Sequence, residues 1–146
     1  MTEKIGEIFV RKKIITPEQL EIALQEQTQT GEFLGEIFVR MSFVNEETLL
    51  KVLAEQFKTH YVALSNVHIN PQAVKAVAKD LVHEYKFFPI EMRNSVMLIA
   101  ISNPLDMWPM SILQEKLKLI EVQTVLARKG DIADFIKKYY TPGENA

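Results

Sequence analysis

A duplicated segment constrains this chain more than any other feature of its sequence. Residues 4–27 align without a gap to residues 33–56, an offset of 29 residues, and 11 of the 24 aligned positions are identical. The block at Gly6–Arg11 recurs unchanged at Gly35–Arg40. A match of this length is typical of an internal duplication, so both repeats are expected to adopt the same local fold.

Each repeat has the sequence pattern of two short helices joined by a turn. In the first repeat, apolar residues within Ile5–Phe9 have helical spacing, and Thr16 with Gln19 three residues later forms the sequence of a capping box. Asn45 takes the place of Thr16 in the second repeat, and Gly31 ends the second helix of the first. Four short helices are therefore predicted, and because none is long enough to be stable alone, the two repeats must pack against each other.

The second half of the chain predicts a small lobe with the order β-α-β-β-α-β-α. The predicted strands are Tyr61–Leu64, Phe87–Met92, Val96–Ile101 and Ile120–Leu126. Helices are expected from Asn70 to about Ala78, up to about Leu117 and over Asp131–Tyr140, with only a turn at Leu81–Tyr85. Because Pro89 has no N–H to donate, the strand that contains it should be an edge strand or carry a bulge.

The predicted fold class is therefore α+β, with a duplicated helix-turn-helix followed by the β-α-β-β-α-β-α lobe. We expect a helical subdomain over residues 1–58, an α/β subdomain over residues 59–141 and a tail over residues 142–146. Thr141-Pro142-Gly143 is expected to stop the last helix.

The residue inventory argues against most kinds of enzyme. The 146-residue chain has no cysteine, which excludes a disulfide scaffold, a zinc-thiolate site and a cysteine nucleophile. It has only five glycines and neither a Gly-x-x-x-x-Gly-Lys loop nor a Gly-x-Gly-x-x-Gly motif to cradle a phosphate. The three histidines, at positions 60, 68 and 83, do not have metal-ligand spacing. We therefore predict no enzyme activity and no metal, and an enzyme of unknown chemistry stays open only as a third hypothesis.

Nucleic acid and membrane insertion are also disfavoured as partners. The net charge is −2, and Glu18–Gln29, where a recognition helix would lie, carries three glutamates and no lysine or arginine. Such a surface repels phosphate. No apolar run approaches the about 18 residues that span a bilayer, and the N-terminus lacks the features of a signal peptide. The sequence predicts a soluble, cytoplasmic protein that contacts a membrane only by docking on membrane proteins.

The repeats resemble one known family. The segments Ile5–Val10, Ile15–Leu20 and Ala23–Gln27 are similar to the duplicated motif of the N-terminal domain of type II secretion and type IV pilus assembly ATPases. The version that binds cyclic di-GMP is called the MshEN domain. In the second half, Leu81–Pro89 and Ile99–Asp106 also resemble the family, so the likeness covers about residues 4–140.

The resemblance implies a ligand site for cyclic di-GMP across the two repeats. The family motif places an Arg-Leu-Gly segment near guanine and phosphate, where glycine allows close approach, and ends in a glutamine that offers an amide. The resemblance carries this site onto Lys4, Ile5, Gly6, Phe9, Leu20, Leu24 and Gln27 in the first repeat, and onto Phe33, Leu34, Gly35, Phe38, Leu49, Leu53 and Gln56 in the second.

This chain departs from the family motif at four positions. The motif's arginine is Lys4 in the first repeat and Phe33 in the second, and its second glycine is Lys13 and Ser42. Lysine keeps the positive charge without the planar fork of arginine, whereas phenylalanine keeps neither but can stack on a base.

Two hypotheses of function follow from the sequence and the resemblance. The first is a non-catalytic regulatory and docking domain whose partners are secretion or pilus machinery proteins, either the cytoplasmic part of an inner-membrane assembly protein or an ATPase core. The alternative is a sensor that binds cyclic di-GMP across the two repeats. No other cofactor is expected.

Overall fold

The computed structural model describes residues 4–140, which divide into two compact units, one up to Leu49 and the other from Leu50 onwards. The tail predicted over residues 142–146 and the helix stop predicted at Thr141-Pro142-Gly143 lie outside the described residues. The predicted boundary between residues 58 and 59 stays a prediction.

The duplicated segment forms the four predicted helices: α1 (Ile5–Arg11), α2 (Pro17–Thr30), α3 (Leu34–Arg40) and α4 (Glu46–Gln56). The capping box is confirmed, because the Gln19 N–H donates to Thr16 Oγ1 over 3.1 Å and the Thr16 N–H donates to Gln19 Oε1 over 3.0 Å. Asn45 caps α4 by accepting the Thr48 N–H on its Oδ1 at 2.8 Å. Gly31 ends α2 with a left-handed φ of 72°.

The first helix of each repeat ends in the same Schellman motif. Lys13 has φ 61° and Ser42 has φ 63°, which is the left-handed region that favours glycine. The Ile14 N–H donates to the Phe9 carbonyl over 2.9 Å, and the Phe43 N–H makes the equivalent bond in the second repeat over 2.8 Å. The backbone of both turns is therefore the one that a glycine would adopt, although neither position is glycine.

The second unit contains a three-stranded sheet in the order β1 (Phe88–Arg93), β2 (Val96–Ile101) and β3 (Glu121–Leu126). Strand β1 pairs antiparallel with β2, and β2 pairs parallel with β3. As predicted, β1 is an edge strand, and its register shifts between Pro89 and Glu91. The turn at Asn94 and Ser95 has positive φ at both residues, which suits a two-residue hairpin loop.

Helices cover this sheet. They are α5 (Pro71–Ala76), α6 (Lys79–Tyr85), α7 (Trp108–Leu117) and α8 (Lys129–Tyr139). Helix α5 lies against β1, α7 against β3 and α8 against β1 and β2. The fold class agrees with the α+β prediction, and the elements follow the predicted order from β1 onwards. Helix α6 has seven residues, where only a turn was expected.

One predicted strand is much shorter than expected. Instead of a strand over Tyr61–Leu64, only Tyr61 forms a bridge, to Leu126 of β3, and a 3-10 turn follows at Leu64–Asn66. The turn forms because the Asn66 N–H donates to the Ala63 carbonyl over 2.9 Å, which withdraws the chain from the sheet edge. The segment therefore lies beside β3 without extending the sheet as a fourth strand.

An aromatic cluster ties the end of the second unit to its sheet. The buried Phe88 ring lies 5.5 Å from the Phe135 ring and 5.3 Å from the Tyr139 ring. The Tyr140 hydroxyl donates to the Val74 carbonyl over 2.7 Å, and burial raises the pKa of this tyrosine. Because the phenol is buried and hydrogen-bonded, it fastens the C-terminal end of α8 to α5.

Replacing the left-handed residues by glycine should stabilise the chain. We expect Lys13→Gly and Ser42→Gly each to raise the free energy of unfolding by about 0.5–1 kcal/mol, because glycine adopts positive φ without steric cost. Urea denaturation followed by circular dichroism measures this. Lys12→Gly is the control, since Lys12 has φ −79° and gains nothing from glycine. Stabilisation by Lys12→Gly, or none by the other two, would contradict the prediction.

Candidate functional site

In both repeats, a glycine on the first helix faces a leucine on the second. A Cβ atom built on Gly6 would lie 2.5 Å from Leu20 Cδ1 and 3.2 Å from Leu34 Cδ2. A Cβ atom on Gly35 would lie 2.8 Å from Leu49 Cδ1. The distances to Leu20 and Leu49 are below 3.0 Å, so a larger residue at either glycine position would force the facing leucine to shift.

The two predicted site phenylalanines form the centre of the first unit. The rings of Phe9 and Phe38 occupy equivalent positions of the two repeats, are fully buried and have centroids 5.3 Å apart at an interplanar angle of 59°. This tilted geometry is one that aromatic pairs favour. In this structure, both rings have an evident packing role, and their contact with a ligand stays a prediction.

The two positions of the family's arginine lie at helix starts. Lys4 is the exposed N-cap residue of α1, and Phe33 is the N-cap residue of α3 with 45% of its surface exposed. Neither side chain caps its helix. Both are therefore accessible to a ligand, and the repeats offer one cation and one aromatic face at these equivalent places.

Gln27 has a partner inside the first unit. Its side-chain amide donates to the Glu32 carbonyl over 3.0 Å, in the short connection between α2 and α3. The amide thus holds this connection in place, and only its remaining hydrogen-bonding capacity could serve a nucleobase.

Arg40, which the sequence did not predict as a site residue, holds the same connection through two ion pairs. Arg40 Nη2 lies 2.6 Å from Glu26 Oε2 and 2.7 Å from Glu32 Oε1. Pairing with Glu32 and Glu26 raises the pKa of Arg40. The available signal was that this arginine recurs as Arg11 and that Glu26 recurs as Glu55, whereas Glu32 lies in the connection between the two repeats.

The remaining predicted site residues differ in exposure. Leu24 is 40% exposed, whereas Ile5, Leu20 and Leu34 are half-buried. In α4, beyond the division at Leu50, Leu53 is 7% exposed and Gln56 is half-buried. The first unit therefore brings together the residues predicted for the first half-site with Phe33, Leu34, Gly35, Phe38 and Leu49 of the second.

The described part of the chain contains no arrangement for metal chemistry. Within residues 4–140, no group of three or more histidine, aspartate or glutamate side chains could hold a metal ion. The three histidines are exposed. No helix among these residues has the length and apolar character needed to cross a membrane.

These features define a protein of two units, in which a duplicated helical pair precedes a small three-stranded lobe. A family profile described as the MshEN domain matches residues 57–146, which is more than half of the chain. The chain therefore belongs to the MshEN domain family, and the predicted resemblance is confirmed.

Individual relatives agree with this assignment. The chain is 25% identical over 143 residues to the type IV pilus assembly ATPase PilB of Myxococcus xanthus, and it spans 25% of that protein's length. It matches a structure of MshE with cyclic di-GMP at a TM-score of 0.86 and 27% identity, covering 95% of this chain and 100% of that one. It also shares the fold of the N-terminal domain of XpsE, with a TM-score of 0.73 at 14% identity, covering 94% and 98% of the two chains.

The glycine–leucine contact gives a prediction for stability. Gly35→Ala should lower the free energy of unfolding by about 1 kcal/mol. The reason is that overpacking against buried Leu49 destabilises the fold by more than the higher helix propensity of alanine stabilises it. In a Leu49→Ala background the same change should no longer destabilise, since the clashing methyl groups are absent. Denaturant unfolding of the four proteins measures this coupling.

Gly130→Ala is the matched control, because nothing lies within 4 Å of a Cβ atom at this position of α8. It should be neutral or stabilise by up to about 1 kcal/mol. An equal loss from Gly35→Ala in both backgrounds would show that Leu49 does not impose the glycine.

Proposed function

We propose that this chain is a non-catalytic regulatory and docking domain of a type II secretion or type IV pilus assembly ATPase. The observation that carries the proposal is the likeness of nearly the whole chain to MshE at a TM-score of 0.86, together with its match to 25% of the length of PilB. A domain with no phosphate-binding loop in its sequence and no metal-binding group among its described residues serves such an ATPase by binding.

The proposed partners are proteins of the secretion or pilus machinery. Candidates are the cytoplasmic part of an inner-membrane assembly protein and an ATPase core. In this proposal the domain works in the cytoplasm and reaches the inner membrane only through those proteins, in keeping with the absence of a membrane-spanning helix among residues 4–140.

Direct binding tests the docking role. The purified chain should form a complex, with a dissociation constant of about micromolar order, with the cytoplasmic segment of a pilus or secretion assembly protein or with an ATPase core from the source organism. Isothermal titration calorimetry measures the affinity. The chain alone should release no phosphate from ATP. Absence of binding to every one of these partners would overturn the proposal.

A second candidate function is the sensing of cyclic di-GMP. It is favoured by the 27% identity to MshE, whose structure holds this dinucleotide, and by the retention of Gly6, Gly35 and Gln27 in equivalent packing positions. In this proposal, Lys4 pairs with a phosphate and the exposed Phe33 ring stacks on a guanine. The contacts of Leu53 and Gln56 with the dinucleotide remain part of the proposal.

Restoring the family's arginines should strengthen dinucleotide binding. Because arginine adds a planar, bidentate donor to a guanine or phosphate, we expect Lys4→Arg/Phe33→Arg to bind cyclic di-GMP at least about tenfold more tightly than the natural chain. Isothermal titration calorimetry compares the two.

Lys79→Arg is the control for this gain, because Lys79 is exposed at the start of α6 and is not one of the proposed ligand-binding residues. It should leave the affinity unchanged. If neither the natural chain nor the double variant shows heat of binding, the sensor function is wrong.

A further inference from the structure

A groove runs between the two helices of the first repeat. It has a volume of about 380 Å³, with Glu7, Val10 and Arg11 of α1 on one side and Pro17, Leu20, Glu21 and Leu24 of α2 on the other. Within α2 these residues have the spacing i, i+3, i+4 and i+7, so they share one face over about two helical turns. The floor is mostly apolar, and a glutamate lies on each wall. We call this surface the α1–α2 groove.

In the second repeat, the equivalent helix face is buried. The duplicates of Leu20, Glu21 and Leu24 are Leu49, Leu50 and Leu53, which are 6%, 1% and 7% exposed. Leu24, in contrast, is 40% exposed, and Glu21 is exposed. The same helix face is therefore part of the protein core in one repeat and more open in the other, where Leu20 is half-buried and Leu24 is exposed.

Charge favours one kind of occupant for the open groove. Helix α2 carries Glu18, Glu21 and Glu26 and no lysine or arginine, and Glu7 lies on the opposite wall. Arg11 also lines the groove, so the charged lining residues are two glutamates and one arginine. The groove is complementary to a cationic segment and disfavours a dianion.

We infer that the α1–α2 groove binds an amphipathic helix with a basic polar face, contributed by a partner protein. This inference deepens the proposed docking role and rests on it. Two turns of apolar side chains from the partner would pack on Leu20 and Leu24, and its lysines or arginines would pair with Glu7 and Glu21. Leu20 and Leu24 also belong to the proposed dinucleotide site, so the helix and cyclic di-GMP would compete for them.

A pair of model peptides tests the inference. The probe is a fluorescein-labelled helical peptide of about four turns, with leucine on one face and lysine on the other, and its counterpart has glutamate at every lysine. Fluorescence anisotropy should show that the full chain binds the basic peptide and not the acidic one. Glu21→Lys and Leu24→Asp should each weaken binding by at least about tenfold.

Glu84→Lys is the matched control, because it changes the net charge by as much as Glu21→Lys does. Glu84 is exposed on α6, in the second unit. The control variant should leave the affinity within about twofold. Circular dichroism checks that each variant is folded. Equal binding of both peptides, equal loss in Glu21→Lys and Glu84→Lys, or no binding of the basic peptide would overturn the groove assignment.

The outcome separates this inference from the docking role itself. If the chain binds a machinery protein but Leu24→Asp leaves that complex intact, the groove assignment is wrong and the docking role stands. If the basic peptide binds through the groove but no machinery protein does, the docking role is wrong.

Discussion

The contact between Phe9 and Phe38 is the interaction on which the duplicated half depends. Helices α1 and α3 have seven residues each, too short to be stable in water without packing. Their buried rings meet at 5.3 Å, and burial of a phenylalanine side chain contributes about 1.5–3 kcal/mol. The carbonyls of the same two residues accept the bonds that end α1 and α3. Each phenylalanine thus fixes both the position of its helix and the turn that follows.

The glycines extend this constraint to the second helix of each repeat. Since Gly6 and Gly35 leave room for Leu20 and Leu49, the longer helices can lie close against the shorter ones. The short connection between α2 and α3 then places Glu32 where Gln27 and Arg40 hold it. The fold of this half follows from a few contacts that the duplication supplies twice.

Local signals made most of the fold predictable, because each was contained in a few neighbouring residues. Capping residues predict where helices begin, as Thr16 with Gln19 does for α2 and Asn45 does for α4. Turn residues in the same way predict the hairpin at Asn94. The strand predicted over Tyr61–Leu64 is reduced to one bridge, and its extent could not be predicted because it depends on pairing with a distant residue, Leu126.

The candidate site was less predictable for the same reason. The resemblance locates its residues, but exposure depends on packing that the two repeats do not share. Equivalent leucines are open at Leu24 and buried at Leu53, and the equivalent positions 21 and 50 hold a glutamate and a leucine. One acidic partner of Arg40, Glu32, also lies in the connection between the repeats and not within either of them. Duplication therefore predicts backbone and core better than it predicts surface.

This divergence bears on which ligand the first repeat accepts. Loss of the family's arginine at Phe33 removes a cation from the repeats, and Glu7 and Glu21 place negative charge on both sides of an open apolar groove. Two like charges about 4 Å apart near a protein surface repel by roughly 4 kcal/mol at an effective dielectric constant of about 20. In the proposed dinucleotide complex the phosphates would therefore lie near Lys4 and away from this groove, whereas the proposed basic helix would meet complementary charge along it. The charges on the first repeat thus agree better with the proposed protein partner than with the proposed dinucleotide.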